Sequence, residues 1–309
     1  MSSLLGPTAR MASGFLDADR ILAATFVRHV EIHDSLGSTN LRAVGLGKLP
    51  EVELPALVVA RSQTAGRGRG DHTWWSAEGA LTFSLLLDTA AFGIDARSWP
   101  QLSLAMGVAV CDGLSIELER AGSSPSPWKG AEVGGPAGGL GDGEKTDVQL
   151  GSKDAPARLS IKWPNDVMLQ GRKVCGILIE SPGGTAPARE RLVIGIGINV
   201  NNSWHSAPGD AGASGIALCD ITKNAHDLQD VLQNVLISIH QRIEQLSAND
   251  QELPAAWQRL SWLTDQDVAV VAATTRTEGV CLGIDAEGSL LVENAAGTHR
   301  VRSGSVHVL

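Results

Sequence analysis

The stretch IKWPNDVMLQGRKVCGILIE, residues 161–180, decides how this chain is read. Two apolar, strand-like runs flank the turn Pro164-Asn165-Asp166, in which proline fixes its own φ and the short polar side chains bond to nearby backbone. Lys162, Arg172 and Lys173 collect positive charge on this one hairpin-like segment, which suits an anionic ligand. The segment therefore reads as a site carried on strands, not as core alone.

A second cationic segment lies upstream, QTAGRGRGDHTWW over residues 63–75, directly after the strand-like run Leu57 to Ala60. Alternating glycines let backbone approach a ligand and allow its amides to form an anion-binding nest, while Arg67 and Arg69 add forked donors. The spacing is G-x-G-x-G, so the dinucleotide fingerprint does not apply, and the P-loop pattern is absent from the chain.

Around these segments the periodicity is that of an α+β protein. Leu81, Phe83, Leu85 and Leu87 predict a strand with one buried face, and Leu102, Ala105, Met106, Ala109, Val110 and Leu114 predict a helix entered through Trp99-Pro100. Residues 121–158 hold nine glycines and four prolines and are expected to be a disordered insertion within one domain. Strand-like runs resume at Leu159 to Lys162, Val174 to Glu180 and Leu192 to Val200. A helix with a clean 3.6-residue period covers Leu228 to Leu246, and after Trp262 short strands separated by turn residues predict a small β-barrel.

Composition excludes several classes. The chain has 309 residues, 43% of them hydrophobic, and a net charge of −9, so its cationic segments are local features and not a nucleic-acid-binding face. No uninterrupted apolar run suggests a membrane span or a leader, which sets the expectation of a cytoplasmic protein without membrane contact. Cys111, Cys175, Cys219 and Cys281 form no C-x-x-C pair and read as reduced thiols. His29 and His33 have metal-ligand spacing for a helix, but the segment around Val30 and Ile32 is strand-like and is given no site.

Five motifs in order, Ser38-Thr39-Asn40, Gln63 to Trp74, Lys162 to Asp166, Arg172 to Glu180 and Gly195 to Asn199, resemble the motif set of biotin–protein ligases. The resemblance implies a mixed β-sheet catalytic domain packed with helices, of the class II synthetase-like, biotin/lipoate ligase type, over residues 1–264, and an SH3-like barrel over 265–309. It implies ATP-dependent attachment of biotin to a lysine of a biotin carboxyl carrier protein or domain through biotinyl-5'-AMP, with ATP and biotin as substrates and Mg2+ as cofactor. Ser38, Thr39, Asn40, Gln63, Gly66, Arg67, Gly68, Arg69, Lys173 and Gly176 would line the biotin subsite. Arg69, Trp74, Lys162, Asn165 and Asn199 would serve the nucleotide; Lys173, Arg67 and Lys162 would carry the chemistry; Asp166 would bind the metal.

Bland alternatives stand beside these roles: a helix N-cap for Ser38-Thr39-Asn40, a core position for Trp74, an ordinary turn for Asp166 and tight strand packing for the glycines. The residues before Val30 are too few for the helix-turn-helix that many such ligases carry, so no DNA binding is expected. Monomer and homodimer both remain open. A lipoate or octanoate ligase or transferase of the same fold, or a non-catalytic phosphate- or nucleotide-binding protein, are the competing readings.

Overall fold

The computed structural model describes residues 14–70, 72–123, 125–127, 157–183, 191–204, 215–272 and 275–309. In chain order the elements of the larger part are α1 (Ala18–Ala24), β1 (His29–Leu36), α2 (Thr39–Leu46), β2 (Ala56–Gln63), β3 (Leu81–Asp88), α3 (Trp99–Arg120), β4 (Pro125–Pro127), β5 (Ala157–Lys162), β6 (Asp166–Leu169), β7 (Arg172–Glu180), β8 (Arg191–Ile198), α4 (Leu218–Thr222), α5 (Leu228–Ser247) and α6 (Glu252–Arg259). Their strands make one eight-stranded sheet in the order β1-β2-β3-β8-β7-β6-β5-β4. The β1–β2 and β4–β5 pairs are parallel and the others antiparallel, which makes the sheet mixed as expected.

Period-two alternation gives this sheet two different faces. Leu57, Val59, Leu85, Leu87, Ile194 and Ile196 point into a core shared with α3 and α5, whereas Ala56, Val58, Leu86 and Val193 meet Ala43 and Leu46 of α2 on the other side. The expectation of one buried face for β3 is corrected here: Thr82 and Ser84 are buried as well. Polar residues on that second face look solvent-facing in a pattern, but α2 and the loop before β3 cover them.

Pro100 stands in the first turn of α3, where its missing N–H breaks no helical bond. This helix is long and apolar enough to cross a bilayer by composition, yet its apolar side chains are buried between the sheet and α5. α5 follows the predicted period almost to the residue, started by Asp227, whose carboxylate accepts from Gln229 N at 2.8 Å. β1 is a strand as expected, with His29 and His33 flanking Glu31, whose carboxylate takes both prongs of Arg42 at 2.7 Å.

Most of the expected insertion, residues 124 and 128–156, lies outside the described residues. Its ends are corrected: residues 125–127 form β4, paired parallel with β5, which begins at Ala157. A strand with two prolines is tolerated at a sheet edge because one side of its backbone needs no ladder partner.

The C-terminal strands β9 (Asp267–Ala272), β10 (Thr275–Ile284), β11 (Leu290–Asn294), β12 (Gly297–Val301) and β13 (Ser305–Val308) form a five-stranded antiparallel sheet, β12-β11-β10-β9-β13, as the SH3-like expectation requires. Two indoles tie it to the larger part. Trp163 Nε1 donates to Gly288 O and Trp257 Nε1 to Asp285 O, each at 3.0 Å, so both ends of one turn between β10 and β11 are held. The buried residues of the small sheet join the main core without a gap. Cys111, Cys175 and Cys281 are buried free thiols, and burial pushes the Cys281 thiol up to about 11.

Trp257 is fully buried, so Trp257→Ala should cost about 3–5 kcal/mol in urea unfolding. Trp257→Phe, which keeps most of the volume but leaves Asp285 O without its donor, should cost about 1–3 kcal/mol.

Candidate functional site

A cavity of about 630 Å³ opens on the α2 face of the sheet. Its floor is stripped of side chains. Gly176 on β7 pairs with Gly197 on β8, and Gly195 on β8 pairs with Ser84 on β3, so three glycines project no side chain on the same face. A Cβ at Gly195 would stand 2.0 Å from Asn40 Oδ1, and one at Gly197 only 2.3 Å from the Trp74 ring. Glycine is required at both because other side chains already lie on the backbone there.

One end of the cavity is neutral and polar. Parallel pairing of β1 with β2 brings Gln63 beside Leu36, next to the start of α2. Ser38 occupies the N-cap position, but its side chain makes no capping bond. Gln63 does that work from the neighbouring strand: its Oε1 accepts from Thr39 N at 2.7 Å and from Thr39 Oγ1 at 3.1 Å. Asn40 accepts from Ser84 Oγ at 2.6 Å and donates to Glu180 Oε2 at 2.8 Å and to Leu178 O at 3.3 Å. Ser38, Thr39, Asn40 and Gln63 therefore come together as expected, with Ser38 free of the capping role.

The glycine–arginine segment folds back as a small hairpin. Arg67 bridges Thr73, Gly68 N donates to His72 O at 2.7 Å and Trp74 N donates to Gly66 O at 3.0 Å. Gly68 and Arg69 line the cavity, whereas Gly66 does not and instead lies against Trp74 O and the Gln63 amide. Arg67 lines the cavity too, but its guanidinium donates to Glu180 Oε1 in an ion pair instead of standing free for a ligand. The Arg69 side chain has no hydrogen bond or ion pair among the described residues. Trp74 lies on Gly176 and Gly197 with Lys173 Nζ 5.9 Å from its ring centroid, which makes it cavity wall and not core. Trp75 meets Trp204 edge to face at a centroid distance of 5.3 Å.

The far end is cationic. The β5–β6 turn and β7 present Lys162, Asn165, Asp166 and Lys173 together. Lys173 Nζ is 2.7 Å from Asp166 Oδ1. Lys162 sits with its ammonium 5.5 Å from the Trp262 ring centroid, and burial holds its pKa below the usual lysine value, with Asp166 opposing that shift and Lys173 adding to it.

Two expected nucleotide residues have internal partners for their amides. Asn165 lines the cavity but spends its amide on Ile177 O at 2.8 Å, holding the turn to β7. Asn199 is fully buried outside the cavity, where its amide donates to Lys173 O at 3.4 Å and its Oδ1 accepts from Asn202 at 3.0 Å; it braces the segment that carries Lys173. Glu180 and Gly197 fall within the motif segments of the sequence but carry no role there, and Thr82 lies outside them, although the alternation Gly195-Ile196-Gly197-Ile198 is a usable signal for Gly197. Ser305, Val306 and His307 reach the cavity from β13, and no local pattern announces that. No group of three or more His, Cys, Asp or Glu among the described residues is arranged to hold a metal, and Asp166 is a lone carboxylate already on Lys173. A metal acting here would have to arrive with a ligand that supplies most of its oxygen donors.

Comparison with known proteins places these segments within one family. The model of the Biotin/lipoate A/B protein ligase family matches residues 35–201, which include the α2 start, the hairpin, the cationic turn and β8. The bifunctional ligase/repressor BirA of Bacillus subtilis strain 168 is 29% identical over 283 residues, covering 91% of this chain and 74% of that protein. The biotin–[acetyl-CoA-carboxylase] ligase of Paracoccus denitrificans is 28% identical over 271 residues, 87% of this chain and 96% of that one. In fold, the chain is like the biotin protein ligase from Aquifex aeolicus solved in complex with biotin and ATP, with a TM-score of 0.69 at 24% identity over 92% of this chain and 100% of that one.

An anion that needs the Lys162 ammonium should bind fully below its lowered pKa and weaken as pH rises through it, short of the ordinary lysine value of about 10.4. Quenching of tryptophan fluorescence by pyrophosphate, titrated at increasing pH, should show this alkaline loss. Lys162→Arg, which stays charged, should flatten it; parallel loss in both proteins would remove Lys162 from the anion site.

Proposed function

Because the chain belongs to the biotin/lipoate A/B protein ligase family, we propose that it is a biotin–protein ligase that activates biotin with ATP and passes it to a lysine of a biotin carboxyl carrier protein or domain. The observation that carries this reading is one cavity with a neutral hydrogen-bonding end at Thr39 and Gln63 and a cationic end at Lys162, Lys173 and Arg69. A ligand with a polar, uncharged head, a short apolar body and a carboxylate fits that polarity.

In the first step a carboxylate oxygen of biotin attacks the α-phosphorus of ATP, the bond from that phosphorus to the bridging oxygen breaks, and pyrophosphate leaves with the bonding pair. Both reactants are anions, so the site must cancel repulsion and stabilise charge growing on the phosphoryl oxygens. Lys173 and Arg69 flank the cavity where the two would meet, and Lys162 supplies a third cation from the turn. In the second step the neutral ε-amine of the carrier lysine attacks the acyl carbon, AMP leaves, and the amine proton goes to water or phosphate. Neither step needs a protein nucleophile.

Mg2+ bound to the ATP polyphosphate would supply further charge neutralisation, with Asp166 the cavity carboxylate nearest Lys173. Trp74, held flat on the glycine floor, offers a face on which a nucleobase can stack. Free buried thiols suit a reducing compartment, so the cytoplasm is the proposed place of reaction.

Pyrophosphate–ATP exchange, with biotin, lipoate and octanoate offered separately, tests the reading before any carrier is found. Exchange is expected with biotin alone, and Lys173→Ala should lower it by about 100-fold or more without changing the melting temperature. Exchange driven by lipoate or octanoate would move the chain to another branch of the family.

A further inference from the structure

Glu180 is the residue whose placement asks most for a role. It ends β7, on the strand that also carries Lys173 and Gly176, and its carboxylate is divided between two parts of the site. One oxygen accepts from the Arg67 guanidinium and the other from Asn40 Nδ2 at 2.8 Å. Asn40 is 5% exposed and is fixed in turn by Ser84 and by Leu178 O, so the carboxylate is anchored on a rigid side. An isolated ion pair at a surface contributes little, but a carboxylate held in place by a buried amide loses no further freedom when it takes up an arginine.

Among the described residues, the hairpin's other attachments to the rest of the fold are at its ends. Thr64 N and Ala65 N donate to Leu36 O and Gly37 O at 2.9 Å, and Trp74 packs on Gly197. Between them, four glycine or arginine positions from 66 to 69 carry little apolar surface to hold them down. Arg67 is their one side-chain ion pair among the described residues.

We propose that Glu180 is a positioning residue: through Arg67 it pins the glycine–arginine hairpin against the start of α2, so that Arg67 shapes the cavity through its ion pair and Arg69 is the arginine left to meet the ligand's anionic part. The inference rests on the biotin–protein ligase reading for its ligand and on geometry alone for the latch.

The test is a double-mutant cycle with Arg67→Met and Glu180→Met in the full chain, read by biotin affinity in calorimetry and by amide hydrogen exchange of residues 66–74 without ligand. Each single variant should weaken biotin binding about tenfold and speed exchange at Gly68 and Trp74. The double variant should be no worse than either, and kcat of pyrophosphate exchange at saturating biotin should change far less than KM. Arg67→Lys, which keeps a cation for Glu180, should recover most of the protection, and Glu180→Gln serves if Glu180→Met does not fold. Arg69→Met should add its loss to that of Glu180→Met.

If Arg67→Met costs as much affinity in the Glu180→Met background as in the wild type, Arg67 acts on the ligand directly and the proposal is wrong. Unchanged hydrogen exchange in the Glu180 variants would overturn it as well. Should the wild type bind no biotin, the ligase reading fails, and hydrogen exchange still decides whether Glu180 latches the hairpin.

Discussion

A binding site laid directly on the face of a β-sheet needs strands that carry no side chains there. Gly176, Gly195 and Gly197 meet that constraint in register on two adjacent strands, and the rest of the site follows from it. Asn40 and Trp74 can settle on bare backbone only because the glycines are there. Each glycine in a strand costs about 0.5–1 kcal/mol relative to alanine, chiefly in chain entropy. The alternation in β8 offsets this on the opposite face, where Ile194, Ile196 and Ile198 are buried against the helices. One strand thus provides a smooth floor on one side and a dense core on the other.

The cations of the cavity differ in what already holds them. Arg67 and Lys173 have internal carboxylates, Lys162 has an aromatic face and a burial penalty, and Arg69 has no ion-pair partner among the described residues. On a protein of net charge −9 this grouping is local, and the carboxylates keep like charges from repelling one another when no anion is bound. Fixed donors of this kind need little rearrangement as negative charge develops, which is the economy of a preorganised site.

Much of this was legible because the site is built from short, locally coded pieces. The Pro164-Asn165-Asp166 turn, the glycine–arginine hairpin and the Ser38-Thr39-Asn40 start of α2 each announce themselves by residue type, and α3 and α5 by period. What escaped depends on contacts distant in sequence. Whether Thr82 and Ser84 face water or α2 is decided by packing, not by alternation, so β3 looked half-exposed. Asn199 follows the glycine strand yet is turned inward to brace Lys173, a choice between two sides of one backbone that residue type does not encode. The arrival of β13 at the cavity depends on how the small sheet docks through Trp163 and Trp257.

The two internal ion pairs are not equivalent, and the difference assigns them different tasks. Asp166 holds Lys173 through one oxygen at 2.7 Å from the turn beside it, so an incoming anion can share the ammonium without breaking anything else. Lys has three donors on a rotatable head and tolerates such sharing. Glu180 is tied to Asn40 as well as to Arg67, and Asn40 is tied to Ser84 and β7. The two pairs are about equally exposed, so the difference is one of connectivity: drawing Arg67 away detaches the hairpin from the Glu180–Asn40–Ser84 chain, whereas giving Lys173 a second partner leaves that chain intact. The exchangeable pair therefore belongs at the reacting end and the fixed pair at the end where the hairpin must keep its shape.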